Sequence, residues 1–284
     1  MKVGLVLEGG ASRTVFSCGV MDVLLKNNII ADYVIGTSAG IAYGVSYASG
    51  QIGRNRDVSV KFMSDKRYMG MRHLLSPKNR SYYNLDFVFN QIPNKEILFD
   101  YDAFEKFGGD VLATVTNIKT GKAEYLPVSA ENGDFIALQA SCALPILFKP
   151  ITVDGKQYLD GGLADAIPFE KAFADDCDKV IVILTREKGY IKGKDKAEKL
   201  VSLAYRKYPE LVTAFKLRPE NYNKQILKLA EYEKSGKALV IYPEEIQGIG
   251  RTEKKPEVLL SLYNQGVNVG NKRLAEMLKF VSDR

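Results

Sequence analysis

The chain has 284 residues, 46% apolar and 26% charged, with a formal net charge of +6, a balance ordinary for a soluble globular protein. Its length suits one large α/β domain with a smaller appendage. No apolar run approaches a membrane span, and Met1-Lys2 leads straight into an apolar strand without a signal-peptide core, so a cytoplasmic protein is expected.

Cys18, Cys142 and Cys177 are far apart and match no zinc spacing, so each reads as a small buried residue and no metal site is expected. The positive charge is uneven. From Arg54 to Arg80 stand Arg54, Arg56, Lys61, Lys66, Arg67, Arg72, Lys78 and Arg80 against only Asp57 and Asp65, an excess equal to that of the whole chain. Such a stretch is either a solvated face or a surface drawn to anionic head groups. Peripheral contact of residues 54–83 with an anionic membrane surface is therefore one expectation, and no nucleic-acid partner is expected.

Val3 to Leu7 is an apolar strand, followed by Glu8-Gly9-Gly10-Ala11-Ser12-Arg13 and by apolar residues at helical spacing from Val15 to Leu25. Ala31 to Ile35 reads as a second buried strand. It ends in Gly36-Thr37-Ser38-Ala39-Gly40, and Ser38 to Tyr47 reads as a small-residue helix. This alternation predicts a parallel sheet with right-handed crossovers and a site at the carboxyl edge of its strands. From Gln51 to Phe107 the pattern loosens into short apolar pieces among basic and aromatic residues, expected as helices and loops over the sheet edge, serving as a lid or as plain packing.

Asp110 to Thr116 is a strand, and Ala123 to Pro127 its antiparallel return. Asp134 to Ala143 reads as a helix broken by Pro145. Gln157 to Leu159 is a short strand before Asp160-Gly161-Gly162, and Lys179 to Thr185 a central parallel strand. The charged, glycine-dotted stretch Arg186 to Lys196 marks a boundary. Residues 1–188 are expected to form one domain, with 189–284 a mostly helical region packed on it through apolar helix faces. Its helices are expected at 197–208, 222–235 and 258–281, with one strand at 238–242.

Ser38 sits at the centre of Gly-x-Ser-x-Gly on a sharp strand-to-helix turn, the pattern of a nucleophile elbow. Gly36 and Gly40 let other backbone approach closely, and a helix starting at the serine aims its amides at developing negative charge. Three uses are open to the Glu8–Arg13 loop. A dinucleotide fingerprint requires glycine where Ala11 and Thr14 stand, and a P-loop requires a Lys-Ser/Thr ending that is absent. The third, an oxyanion hole, finds its partner in Ser38.

A serine of this kind normally works with histidine. The chain has one histidine, His73, soon after Ser38 in an irregular basic segment. That argues against an α/β-hydrolase triad and against an acyltransferase of the malonyl-transfer type. Burial can raise the basicity of an aspartate enough to replace the imidazole. Asp160, after a short strand and backed by Gly161-Gly162, is the best candidate.

Taken together, these segments resemble the patatin-like phospholipases, which use a Ser–Asp dyad. Leu7-Glu8-Gly9-Gly10-Ala11-Ser12-Arg13 is similar to that family's oxyanion loop with its arginine, and Gly36-Thr37-Ser38-Ala39-Gly40 to its elbow. Ala140-Ser141-Cys142-Ala143-Leu144-Pro145-Ile146-Leu147-Phe148-Lys149-Pro150 is similar to the stretch ahead of its aspartate, and Asp160-Gly161-Gly162 to its Asp-Gly-Ala/Gly motif. The resemblance runs over roughly residues 3 to 186.

It implies a three-layer α/β/α sandwich with a mainly parallel sheet, followed by the mostly helical C-terminal region. It also implies a serine acylhydrolase cleaving acyl esters of phospholipids or lysophospholipids through an acyl-enzyme, without metal or organic cofactor. Ser38 would be the nucleophile, Asp160 the base, and the amides of Gly9, Gly10 and Ala11 the oxyanion hole. Arg13, Gly36, Gly40, Gly161 and Gly162 would support them. Where Ala11 and Thr14 stand the family usually has glycine, and a methyl group discourages positive φ, so the loop's geometry turns on the conformation of Ala11. Two rivals remain at this stage: a nucleotide- or anion-binding module, and a lipid-binding protein of the same fold without turnover.

Overall fold

A computed structural model describes residues 1–77, 79–129, 135–246 and 248–282. Among the described residues eight strands form one sheet: β1 (Val3–Leu7), β2 (Tyr33–Thr37), β3 (Asp110–Asn117), β4 (Ala123–Pro127), β5 (Ile151–Val153), β6 (Lys156–Asp160), β7 (Lys179–Ile183) and β8 (Ala238–Ile241). The neighbours β3-β2-β1-β7-β8 are all parallel, while β4, β6 and β5 join antiparallel on the β3 side. The helices are α1 (Val15–Lys26), α2 (Ala39–Ala48), α3 (Arg54–Phe62), α4 (Met71–Leu75), α5 (Tyr101–Glu105), α6 (Ile136–Ser141), α7 (Phe169–Ala174), α8 (Glu198–Ala204), α9 (Pro209–Lys234), α10 (Pro256–Lys272) and α11 (Leu274–Ser282).

The two-residue period of the strands sorts their side chains into two cores. Leu5, Leu7, Val34, Ile181, Ile183, Leu239 and Ile241 face α1, α2 and α10. Val6, Ile35, Val180, Val182 and Val240 face Phe169 of α7 with Tyr222 and Leu229 of α9. Helices therefore cover both faces, which gives the three layers expected. The C-terminal residues are woven into all of them: β8 pairs with β7, α9 covers one face, and α10 packs along α1 on the other. Gly19 and Gly266 allow that last contact, since a Cβ at Gly266 would stand 2.0 Å from the Phe16 carbonyl oxygen. Alanine there would force the helices apart, at a cost of order 1–3 kcal/mol or more.

Several boundaries differ from the sequence reading, three of them for a physical reason. β2 starts at Tyr33 rather than Ala31, because Asp32 caps β1 instead: its carboxylate accepts from the Val3 amide at 2.8 Å. α9 starts at Pro209, well before residue 222, since proline at a first helical position loses no hydrogen bond, and the helix runs on through Pro219. The expected helix over 258–281 is two helices, broken at Arg273, whose guanidinium donates to the Val240 carbonyl at 2.5 Å. Asp134, taken as a helix start, and Lys78 of the basic segment lie outside the described residues.

Candidate active site

The site begins with how β3 shares its edges. β4 fills one edge from Leu112 to Thr116. On the other, β2 pairs as far as Thr37 opposite Thr114, and β6 takes over with Asp160 opposite Val115. β2 and β6 run in opposite directions along that edge, so their ends meet. Ser38 follows the end of one and Asp160 is the end of the other. Gly161 then turns against β3 so closely that a Cβ would lie 2.2 Å from the Thr114 carbonyl oxygen.

Ser38 holds φ 55° and ψ −131°, a left-handed conformation that is strained for a residue with a side chain. α2 begins at the next residue, so the amides of its first turn lie at the serine. The Ser38 amide donates to Ser141 Oγ at 2.8 Å, and that hydroxyl donates on to the Thr114 carbonyl at 2.7 Å. Ser141 thereby ties the turn to β3.

The glycine loop packs directly on the elbow. A Cβ at Gly9 would stand 2.6 Å from the Thr37 carbonyl oxygen and 2.9 Å from Ser38 Cβ, so only glycine fits there. Gly10 faces Thr185, while Gly36 and Gly40 pass close to Leu7. Ala11 has φ 50°, whereas Thr14 has φ −64°. The departure at Thr14 therefore leaves the backbone in an ordinary region, and the strain falls on Ala11 alone. Ser12 binds the C-terminal region: its amide and hydroxyl donate to the Arg251 carbonyl at 3.2 and 2.9 Å, and the hydroxyl also reaches the Glu253 carbonyl at 2.6 Å.

The Asp160 carboxyl is buried. Its Oδ1 accepts from the Gly162 amide at 2.8 Å, while Oδ2 has no hydrogen-bond partner among the described residues. Burial raises its pKa, and the adjacent Ser38 hydroxyl, Arg218, the Gly162 amide and Arg251 oppose that rise. The loop after Asp160 is held from outside by α9. Arg218 Nε donates to the Gly162 carbonyl at 2.7 Å, and Gln225 donates to Asp165 at 2.6 Å.

Two cavities meet at this point, and Ala11, Ser38 and Leu144 line both. One is apolar, with Met63, Tyr68, Val88, Phe89, Ile92 and Phe148 among its walls. Its roof comes from the loosely patterned segment, including a π-helical stretch, Phe87–Glu96, and Arg54 turns inward there to donate to the Ile97 and Leu98 carbonyls. Burial brings the Arg54 pKa down to about 10. The other cavity is charged and is lined by Glu8, Arg13, Asp160, Arg186, Lys192, Arg218 and Arg251. Glu8 is already engaged, accepting from the Thr185 amide at 2.6 Å. His73 lines neither cavity; its Nε2 meets the Lys66 carbonyl at 2.9 Å. Among the described residues no cluster of His, Cys, Asp and Glu is placed to hold a metal ion.

The structure thus brings together Gly9, Gly10, Ala11, Arg13, Ser38, Asp160 and Gly162 around one cavity, with Gly36, Gly40 and Gly161 packed behind them. Sequence reasoning gave no role to Ser141, which it quoted only within the stretch 140–150, and passed over Arg218 and Arg251. Arg218 had a signal. It occupies a buried position on α9 in the row Leu211, Phe215, Arg218, Tyr222, where helical spacing calls for an apolar residue.

A family model described as "Patatin-like phospholipase" matches residues 5–173, and one described as "Domain of unknown function (DUF6363)" matches residues 208–282. The chain is 26% identical over 189 residues to "Uncharacterized protein YjjU" of Escherichia coli K12, covering 65% of this chain and 52% of that protein. It is 33% identical over 171 residues to "Lysophospholipase NTE1" of Meyerozyma guilliermondii, covering 58% of this chain and 11% of that one. The chain therefore spans about half the length of the first relative and about a tenth of the second. Among solved structures, VipD from Legionella pneumophila aligns with a TM-score of 0.51 at 14% identity, over 97% of this chain and 67% of its own, a likeness of fold alone. The first family match runs through the glycine loop, the elbow and the Asp-Gly-Gly turn that meet on one sheet edge, and the chain belongs to the patatin-like phospholipases.

Proposed function

We propose that the protein is a serine acylhydrolase of phospholipids or lysophospholipids that works through Ser38 and Asp160. The observation that carries this reading is the meeting of the β2 and β6 ends on one edge of β3, at the mouth of an apolar cavity. Ser38 Oγ attacks the ester carbonyl as Asp160 takes its proton, and the raised pKa of the buried carboxyl suits it to that task. The oxyanion is held by amides of Gly9, Gly10 and Ala11 and by the start of α2. The carbon–oxygen bond to the alcohol then breaks, and Asp160 returns the proton to the leaving oxygen. Water, activated by the same carboxylate, hydrolyses the acyl-enzyme and frees Ser38. The apolar cavity takes the acyl chain, in keeping with the lysophospholipase relatives.

Contact with a lipid surface belongs to the same proposal, with its focus narrowed by ion pairing. Arg56, Lys61 and Arg67 are engaged by Asp57, Asp65 and Glu96. On α4, Met71 is 67% and Leu75 84% exposed, beside exposed Lys66 and Arg72. That combination of apolar and basic side chains suits an anionic interface.

A second reading is favoured by one observation. Ala11 takes the left-handed φ that its methyl group resists, which suits a lipid-binding protein of the same fold without turnover. Hydrolysis of a lysophospholipid by the wild type, lost in Ser38→Ala and Asp160→Asn and retained in His73→Ala, supports the enzyme. Lipid binding without any hydrolysis in the wild type supports the alternative.

A further inference from the structure

We propose that the charged cavity beside Ser38 is an anion-binding subsite, built mainly by chain beyond residue 173, that takes a phosphate on the alcohol side of the acyl-ester substrate. The substrate clause rests on the acylhydrolase reading; the anion site itself does not. Five cationic side chains, Arg13, Arg186, Lys192, Arg218 and Arg251, line the cavity against two carboxylates. Both carboxylates have other roles: Glu8 accepts from Thr185, and Asp160 is the candidate base. Among the described residues, Arg13, Arg186, Lys192 and Arg251 make no ion pair, and only Arg218 has one, with Asp195 at 3.4 Å.

Arg13 decides that this is more than a basic surface. It is only 4% exposed, it lines the cavity, and its Nε has no hydrogen-bond partner among the described residues. A guanidinium taken out of water and left unpaired is unfavourable unless something supplies the missing acceptor, and a phosphate oxygen matches its donor geometry. The neighbouring cations show the same frustration. Burial and mutual repulsion lower the pKa of Arg13 to about 10 and that of Lys192 to about 7. A bound anion relieves both effects.

The location assigns the ligand. Ser38 lines this cavity and the apolar one, so an ester carbonyl at its hydroxyl extends an acyl chain one way and its alcohol the other. Four of the five cations lie beyond the patatin-like match, which ends at residue 173, and two of them, Arg218 and Arg251, belong to the 208–282 match. That region is held firmly, through Ser12 to the Arg251 carbonyl and through Arg218 to the Gly162 carbonyl. The C-terminal region therefore supplies head-group recognition to a site whose chemistry lies elsewhere in the chain.

The test has two parts. The first compares kcat/KM for lysophosphatidate and for the monoacylglycerol of the same acyl chain, in the wild type and in Arg251→Gln. A preference for the phosphate-bearing ester of about tenfold or more, reduced by a similar factor in the variant, is expected. Equal kcat/KM for the two esters in the wild type overturns the proposal. The second part needs no catalysis and no variant in the basic cluster: inorganic phosphate is titrated into Ser38→Ala and followed by thermal unfolding and calorimetry. Saturable binding with a raised Tm is expected, and no binding overturns the anion site. Phosphate binding in a protein whose wild type hydrolyses no ester upholds the anion site for a free phosphate ligand, and overturns the acylhydrolase reading alone.

Discussion

Arg218 Nε donates to the Gly162 carbonyl at 2.7 Å, so a helix of the C-terminal region holds the turn that follows Asp160. The same guanidinium draws the Asp160 pKa down against the larger effect of burial. In Arg218→Gln the carboxyl loses that opposition, and its pKa rises further. On a neutral acyl ester, the acid limb of the kcat/KM profile is expected to move to higher pH, because more base is needed to ionise Asp160. An unmoved limb with lower activity throughout contradicts this positioning role.

Two glycine-loop variants separate close approach from backbone strain. Gly9→Ala places a methyl group 2.6 Å from the Thr37 carbonyl oxygen and displaces the elbow, so activity is expected to fall by about 100-fold. Ala11→Gly removes a left-handed penalty of about 1–2 kcal/mol and adds back about 0.4–1 kcal/mol of unfolded-chain entropy. Unfolding in urea should then show a protein of equal or up to about 1.6 kcal/mol greater stability, with its ester hydrolysis retained.

Removing the machinery of the site should stabilise the fold. Ser38→Gly relaxes the positive φ that Ser38→Ala preserves, and is expected to be more stable than the alanine variant by about 1 kcal/mol, with both inactive. For Asp160 the sign depends on pH. Burial raises its folded-state pKa above the unfolded value, so the fold favours the neutral carboxyl. The stability this contributes is full below the ordinary carboxylate range and is lost as pH rises through the folded-state value. Asp160→Asn cannot ionise, so its advantage in Tm over the wild type should open as pH rises. A constant difference from acid to neutral pH contradicts this.

The fold and much of the candidate site were legible because their signals are local. Strand, glycine loop and helix follow one another within residues 3–26, and Gly36 to Gly40 carries its own turn chemistry. What joins them is not local. Asp160 shares a cavity with Ser38 because β3 lends one edge to two strands that arrive from opposite directions, which no short stretch encodes. Ser141 acts through one hydroxyl bridging the Ser38 amide and Thr114, and such a bridge leaves no periodic trace. Arg251 enters through a loop pinned by Ser12, more than two hundred residues earlier. The charge count over residues 54–80 was legible but misleading in part, since Arg54 points inward and several neighbours are ion-paired.

Lys192 makes the basic cavity sensitive near neutrality. It faces Arg13, Arg218, Arg251 and Glu8, with the Tyr222 ring centroid 4.2 Å from its Nζ, and its pKa lies down at about 7, chiefly through burial. Sulfate keeps its charge across this range, so its binding isolates the lysine. Affinity should fall as pH rises from about 6 to 8, while Lys192→Met should bind more weakly and without that slope. A pH-independent wild-type affinity runs against this assignment.

The central claim is that Ser38 is a nucleophile activated by Asp160. A fluorophosphonate probe tests it directly, since the probe phosphonylates only an activated serine, and peptide mass spectrometry locates the adduct. One adduct on Ser38 is expected in the wild type, none in Ser38→Ala, and labelling slowed by about 100-fold or more in Asp160→Asn. An adduct on another residue, or labelling of Asp160→Asn at the wild-type rate, would contradict it.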